Sequence, residues 1–312
     1  MKQSMLGFAF GIIFLSSLTL STKSQSQEAE AAKLRSMYFN RDYEGGAIRG
    51  QEWGAQLLRH DELRAWFILN MARNDLAAQA VAAADEMIAT GDSSPWSWFA
   101  LAGALNWSRE RREEALPASK KALLLLPDHP DVIWMRAETL MRQGKEEQAI
   151  DFVDKNRAKL ANPAELVATK GNAIYSLWGR DEDKFEQALH TFAKARQMDP
   201  SNVSAHVIPA VYLSRKGRNE EALPLLKKAL VLAPNSTGIH ERYWQAIWGI
   251  KNMASEVKRK EIESDIEPFL QNRGDYPGAL QAVSTIYREL KLFAALGIIR
   301  EREFTFKINP NL

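Results

Sequence analysis

A repeating pattern with a period near 34 residues constrains the fold of this chain more than any other feature of its sequence. Four alanines, Ala115, Ala149, Ala188 and Ala222, occupy matching positions and are separated by 34, 39 and 34 residues. Each one follows a short polar stretch and opens a run in which apolar residues recur at helical spacing. A fixed period of this length is typical of solenoids built from helical hairpins. The sequence therefore predicts an all-α fold, an α-solenoid of antiparallel helical hairpins.

Turn and stop residues recur in the same register as the alanines. Gly144 and Gly217 lie at the same point of the polar turn, where a glycine supplies the positive φ that commonly ends a helix. Pro127, Pro200 and Pro234 follow the second run of their units, because a residue without an N–H cannot continue a helix. These positions predict where each hairpin turns and where it ends.

A second alanine follows the first by seven residues, two helical turns along the same face. The pairs are Ala115 with Ala122, Ala188 with Ala195, and Ala222 with Ala229. A methyl group at both places lets two helix backbones approach closely, and a larger side chain would overpack the contact at a cost of about 1–3 kcal/mol. In the unit over 130–163 the second position holds Asn156, so that hairpin is predicted to pack less tightly.

The repeat resembles the tetratricopeptide repeat. The matching residues in three units are Phe99, Gly103, Ala115, Ala122 and Pro127; then Ala188, Phe192, Ala195 and Pro200; then Ala210, Gly217, Ala222, Leu226, Ala229 and Pro234. The resemblance implies a right-handed superhelix with a concave groove that one face of each first helix lines. It also implies a protein or peptide as the partner.

Laid on this chain, the family pattern predicts a partner-binding groove. Its residues are Trp107, Trp134, Glu138, Met141, Arg142, Asn172, Tyr175, Val211, Arg215, Gln245 and Trp248. Tryptophan, tyrosine and arginine are the residue types that dominate interface hot spots. The alternative is that the aromatic rings pack between helices and fill the interior of the superhelix. Some family members bind a terminal carboxylate with Lys and Asn, but only Asn172 fits here, since Ala168 holds the lysine position.

The unit over 164–202 is five residues longer than its neighbours. We predict a longer solvated turn that contains Asp181, Glu182 and Asp183, which lack the regular spacing of a calcium loop. Trp178 lies within this insertion, and we expect it to fold back onto the hairpin.

The pattern divides the chain into four parts. Residues 1–24 are predicted to be a signal peptide or N-terminal anchor, 25–45 a polar linker, 46–303 the solenoid and 304–312 a tail with β character. The clear repeats cover 96–236, and degenerate repeats flank them, including a last hairpin that turns near residues 290–291.

The N-terminus predicts export from the cytoplasm. Lys2 precedes a run without charges from Met5 to Leu20, which is slightly long for a signal peptide and slightly short for a membrane-spanning helix. A cleaved signal predicts a periplasmic or secreted protein, and an uncleaved one predicts a membrane-anchored protein with its repeats outside the cytoplasm. The chain has no cysteine, so disulfides, thiol catalysis and a lipid-modified cysteine are all excluded.

Charge and motifs argue against several function classes. The 41 basic and 39 acidic residues are interleaved, which gives no support for nucleic-acid binding. The five histidines are scattered with no pair at i and i+4, and no catalytic or phosphate-binding motif occurs, so no catalytic residue, metal site or cofactor is predicted.

These observations predict a non-catalytic scaffold for protein–protein interaction. Parts of the chain are also similar to the repeat portion of bacterial extracytoplasmic proteins that join such repeats to a thioredoxin-like domain. The alternative function is therefore a remnant or partner of such a redox protein, although the C-x-x-C motif that a thioredoxin-like domain needs is absent. An enzyme that uses the groove as its active site is the third hypothesis.

Overall fold

The computed structural model describes residues 26–54, 60–90, 94–179, 181–274 and 276–289, and all regular secondary structure in these ranges is helical. The α-helices are α1 (26–39), α2 (Tyr43–Glu52), α3 (Asp61–Arg73), α4 (Ala77–Ala89), α5 (Pro95–Leu105), α6 (Ala115–Leu125), α7 (Pro130–Arg142), α8 (Glu146–Asn156), α9 (Ala164–Ser176), α10 (Glu182–Met198), α11 (Val203–Arg215), α12 (Asn219–Leu232), α13 (Thr237–Gly249), α14 (Ser255–Arg273) and α15 (Pro277–Glu289). Two 3₁₀ turns, Arg112–Glu114 and Arg157–Lys159, precede α6 and follow α8.

The helices from α3 to α14 form six consecutive hairpins, and α15 packs on α13 and α14. Each first helix also contacts the first helix of the next hairpin, from α3 through to α15. This contact pattern is the α-solenoid that the sequence predicts. The first helices lie side by side, so they form one continuous surface, the concave face of the superhelix.

The alanines of the repeat lie where helices meet. Ala115, Ala149, Ala188 and Ala222 are fully buried. The second alanines are also fully buried, at Ala122, Ala195 and Ala229. The predicted packing role of these side chains is therefore confirmed.

The turn glycines are required by backbone conformation rather than by lack of space. Gly144 has φ 66° and Gly217 has φ 75°, and a Cβ atom at either place would meet nothing within 4 Å. The next residue in each turn donates its N–H to a carbonyl of the preceding helix, Lys145 to Leu140 at 3.0 Å and Arg218 to Leu213 at 2.9 Å. Such a bond closes a helix end in which the glycine takes the left-handed conformation.

The five extra residues of the unit over 164–202 are divided between the turn and the helix. The turn between α9 and α10 has five residues where the corresponding turn at 216–218 has three, and α10 has 17 residues where α12 has 14. Trp178 folds back as predicted, with its ring 5.6 Å from that of Tyr175. Asp181 caps α10 by accepting hydrogen bonds from the N–H groups of Asp183 and Lys184 at 3.0 and 3.3 Å.

Helix α8, the second helix of the hairpin over 130–163, buries fewer residues than α10, as Asn156 suggests. Helix α8 ends at Asn156 and buries two residues, Ala149 and Val153, whereas α10 buries five. Two large hydrophobic cores lie on either side of this hairpin, one between Ala31 and Met135 and the other between Val167 and Ile286.

The predicted polar linker over 25–45 is wrong, because its described residues are mostly helical and packed. In α1, Ala31, Leu34 and Tyr38 are buried, and they belong to the first large core. These three residues follow the helical spacing i, i+3 and i+7. The pattern is hard to recognise in the sequence because charged residues surround it. We call residues 26–52, which comprise α1 and α2, the N-terminal strap.

The strap lies against the concave face and connects distant parts of the solenoid. Arg35 of α1 forms a bidentate ion pair with Asp131 of α7, with distances of 2.7 and 2.6 Å. Asp42, between α1 and α2, pairs with Arg273 of α14 at 2.5 Å, and both side chains are buried. One short segment therefore connects α7 with α14.

Two further hydrogen bonds join the strap to the C-terminal hairpins. The Ser236 hydroxyl donates to the carbonyl of Arg41 at 3.1 Å, and the N–H of Gly278 donates to the Glu44 carboxylate at 2.9 Å. Together with the Asp42–Arg273 pair, they close the superhelix across its concave side.

Several predictions fall on residues that lie outside the described ranges: the uncharged run from Met5 to Leu20, the turn near residues 290–291, and the tail over 304–312. Within the described helices, none has the length and apolar character needed to cross a membrane. Apart from the linker, the division into four parts stays a prediction.

Candidate partner-binding site

A cavity of about 550 Å³ lies between the concave face and the strap, and we call it the central pocket. Its walls come from the end of α3, from the turn after α5 and from the first helices α7, α9, α11 and α13. Tyr38, Phe39, Arg41 and Tyr43 of the strap complete it. Seven of the eleven residues predicted to face the groove line this pocket: Trp107, Trp134, Glu138, Arg142, Asn172, Val211 and Arg215.

The other four predicted residues do not line the central pocket. Met141 is buried in a small core, and Tyr175 stacks on Tyr212 with ring centroids 3.3 Å apart. Gln245 is exposed, and Trp248 is 40% exposed. Some of the eleven predicted residues therefore line the pocket wall, some pack in the interior, and some lie on the open surface. Which of the eleven contact a partner stays a prediction.

Trp107 lies between two guanidinium groups. Arg73, at the end of α3, is 3.6 Å from the ring centroid, and Arg142, at the end of α7, is 3.8 Å from it. Arg142 also pairs with Glu138 at 2.6 Å, and Arg73 donates to the Tyr43 hydroxyl at 2.9 Å. Cation–π contacts on an indole hold both guanidinium groups at this end of the pocket.

Trp134 has a packing role of the kind that the alternative prediction described. It is 6% exposed, and the rings of Phe39 and Tyr38 lie 5.0 and 5.8 Å from it. Because both of these rings belong to α1, Trp134 joins the strap to the solenoid.

Arginine is the commonest charged residue of the central pocket. Five arginines line it against two glutamates: Arg41, Arg73, Arg142, Arg215 and Arg242, with Glu138 and Glu165. The sequence analysis missed Arg41, Arg73 and Arg242. The period itself could have found Arg73, which precedes Trp107 by 34 residues. No repeat relates Arg41 to the rest, since it lies in the strap.

Burial changes two titratable groups of the pocket wall. It raises the pKa of the Glu165 carboxyl, although Asn202 donates a hydrogen bond to it at 2.8 Å. Burial also raises the pKa of the Tyr212 hydroxyl, which donates to the side-chain oxygen of Asn172. Both shifts favour the neutral form.

Four of the five histidines serve local structure. His60 and His129 accept hydrogen bonds from backbone N–H groups in the first turns of α3 and α7, at 3.1 and 3.2 Å. His206 and His240 bond, at 3.1 and 2.9 Å, to the carbonyls of the prolines six residues before them, which is one contact repeated in two units. In the described part of the chain, no three His, Asp or Glu side chains are grouped so that they could hold a metal ion.

A family model of the tetratricopeptide repeat matches residues 180–237, which cover α10, α11 and α12. This segment of the chain is therefore similar to the tetratricopeptide repeat. The match includes the turn glycine Gly217 and the buried alanines of two hairpins, which are the residues that carry the resemblance in the sequence.

Two further comparisons relate this chain to known proteins. It is 25% identical over 236 residues to the Vi polysaccharide export protein VexE of Salmonella typhi, over 76% of this chain and 33% of the relative. The chain thus spans about a third of the length of that relative. The crystal structure of the APC/C hetero-tetramer Cut9–Hcn1 superimposes with a TM-score of 0.56 at 12% identity, over 96% of this chain and 56% of the other, and shares its fold.

Proposed function

We propose that this protein is a non-catalytic scaffold that binds a protein or peptide partner on its concave face. The central pocket carries the proposal, since a cavity of about 550 Å³ opens there among seven residues whose register predicted a groove. Its volume lies within the roughly 300–1,000 Å³ of ordinary ligand sites. A short segment of a partner fits such a space, whereas a folded domain does not.

The proposed location is outside the cytoplasm, periplasmic or secreted, with a membrane-anchored form as the alternative. The positively charged start and the uncharged run from Met5 to Leu20 support export. The relative from Salmonella typhi is an export protein by name, which agrees with this location.

Site-specific photo-crosslinking in the native host tests the scaffold. A photoreactive amino acid at Val211, in the pocket wall, is compared with one at Val231, which is 75% exposed and outside the pocket wall. We expect a protein partner, identified by mass spectrometry, to be crosslinked from position 211 and not from position 231. Identical products from both positions, or none from position 211, would refute binding in the pocket.

A second candidate function is a part in polysaccharide export, which the relative alone favours. Deleting the gene would then leave polymer inside the cell that the parent strain carries on its surface. Equal surface polysaccharide in both strains would remove this candidate.

The alternative of a repeat–thioredoxin-like redox protein stays a prediction. A C-x-x-C motif encoded in the genome directly after Leu312 would support it, and an unrelated or terminating sequence there would count against it.

A further inference from the structure

The guanidinium groups of the central pocket fall into two sets. Arg73 and Arg142 are engaged inside the protein, on Trp107, Tyr43 and Glu138. Within the described ranges, the remaining three, Arg41, Arg215 and Arg242, form no ion pair with a carboxylate: Arg215 lies 5.8 Å from the Tyr212 ring, and Arg242 donates to the Gln245 side chain at 2.9 Å. Three guanidinium groups at the pocket are therefore left without a direct ion-pair partner among the described residues.

Arg41 has a conformation that is unfavourable for an arginine. Its φ is 60°, in the left-handed region, at the end of α1 where a glycine is usual. The turn around it has the bonds of a glycine-type helix end, since Asp42 donates its N–H to the Met37 carbonyl at 2.9 Å. The Nε of Arg41 is buried without a hydrogen-bond partner among the described residues. The backbone conformation alone would favour glycine at position 41. The arginine found there therefore points to a binding role for its guanidinium group.

The negative charge in the pocket is weak. Glu138 is neutralised by Arg142 at 2.6 Å. Burial raises the pKa of the Glu165 carboxyl, which makes its charged form less favourable. A pocket wall with three unpaired cations and little opposing charge attracts anions.

The aromatic rings of the pocket are already covered. Guanidinium groups lie over Trp107 at 3.6 and 3.8 Å, and the Tyr175 ring lies 3.3 Å from that of Tyr212. Trp134 is 6% exposed beneath the strap. The rings offer little free face for stacking a sugar, so recognition falls to the arginines. Guanidinium groups suit carboxylates, because their planar N–H donors can form paired charge-assisted hydrogen bonds.

We infer that the central pocket binds an acidic peptide segment, whose Asp or Glu carboxylates pair with Arg41, Arg215 and Arg242. This inference rests on the proposed function and specifies the chemistry of its partner. The family's carboxylate position that pairs Lys with Asn is not involved, since Ala168 is fully buried at the lysine position.

Calorimetric titration with defined probes tests the inference. The probes are hexa-glutamate, hexa-galacturonate with the same number of carboxylates, and hexa-lysine. We expect hexa-glutamate to bind best, with an affinity that falls as salt is added, because salt screens exposed charges. Galacturonate binding as tight as that of hexa-glutamate would show a general anion or saccharide site and overturn the inference, as would the absence of hexa-glutamate binding.

Three variants locate the binding. Arg41→Gly removes the guanidinium and fits the left-handed backbone, and Arg215→Gln changes an exposed side chain, so neither endangers folding. Each should weaken hexa-glutamate binding about tenfold, the scale of one lost charge-assisted hydrogen bond. The matched control Arg259→Gln removes the same charge from α14 outside the pocket and should leave affinity unchanged. An equal loss of affinity in all three variants would mean that hexa-glutamate binds through net charge alone. That result would contradict binding at the central pocket.

The outcomes separate this inference from the proposed function. If position 211 crosslinks a partner but hexa-glutamate does not bind, the scaffold stands and the acidic chemistry is wrong. If neither occurs, both proposals fail.

Discussion

The repeat hairpins and the N-terminal strap belong to one fold but are held in different ways. The hairpins between α5 and α12 meet through small apolar side chains such as Ala115 and Ala222, and their contacts recur with the period of the repeat. The strap packs on the first large core, and individual polar contacts between residues 96 to 234 positions apart in the chain join it to α7 and to the C-terminal hairpins. Hairpin packing is therefore repeated and local, whereas closure of the superhelix depends on a few pairs that occur once.

Breaking the buried ion pair of the strap should have the largest effect. Arg273→Met leaves the buried Asp42 carboxylate without its partner, and such a loss costs about 3–5 kcal/mol. Chemical denaturation with circular dichroism measures the free energy of unfolding.

A double variant is the control for this pair. Burial raises the pKa of Asp42 even beside Arg273, so the pair itself is costly to desolvate. Asp42→Asn combined with Arg273→Met removes both charges and should recover most of the loss. A double variant as unstable as the single one would show that the ion pair is not the origin of the effect.

Overpacking a repeat alanine should have the next largest effect. Ala222→Phe places a ring where the side chain is fully buried, at a cost of about 1–3 kcal/mol. The neighbouring Glu220 is exposed, so Glu220→Ala should change stability by less than about 0.5 kcal/mol. Thermal melting compares the two, and similar small shifts would contradict the packing role of the alanines.

A turn glycine should matter less than a packed alanine. Gly217→Ala puts a Cβ on a residue with φ 75°, which costs about 1–2 kcal/mol. Gly238 lies in the first turn of α13, and a Cβ there meets nothing within 4 Å. Gly238→Ala should therefore be neutral or stabilising by up to about 1 kcal/mol. Chemical denaturation measures the midpoint of unfolding for each variant. If both midpoints shift in the same direction, the positive φ of Gly217 is not the origin of the effect.

The smallest expected effect is a gain in stability. Arg41→Gly relieves the left-handed conformation of an arginine, which is worth about 1 kcal/mol. Thermal melting at neutral pH should show a small rise. A lower melting temperature would mean that the Arg41 side chain itself holds the strap against the solenoid.

The pocket was partly predictable from the sequence. Trp107, Arg142 and Arg215 were found because first-helix residues recur in a fixed register. Arg73 follows the same register but lies in an upstream repeat that has lost most of its marker residues. Met141 and Tyr175 were placed at the groove by the same register, yet they lie in interior packing, because the pattern fixes a position on the helix and not the direction of its side chain.

The sequence by itself determined the helical hairpins, their turns and their buried alanines. Each of these features depends on residues within about one repeat of each other, so a local sequence pattern is enough to predict it. Only the tertiary structure decided where the strap lies, that Asp42 meets Arg273, and that Arg41 joins Arg215 and Arg242 at one pocket. Small rotations between successive hairpins add up to the curvature of the superhelix, and that sum determines which distant residues meet.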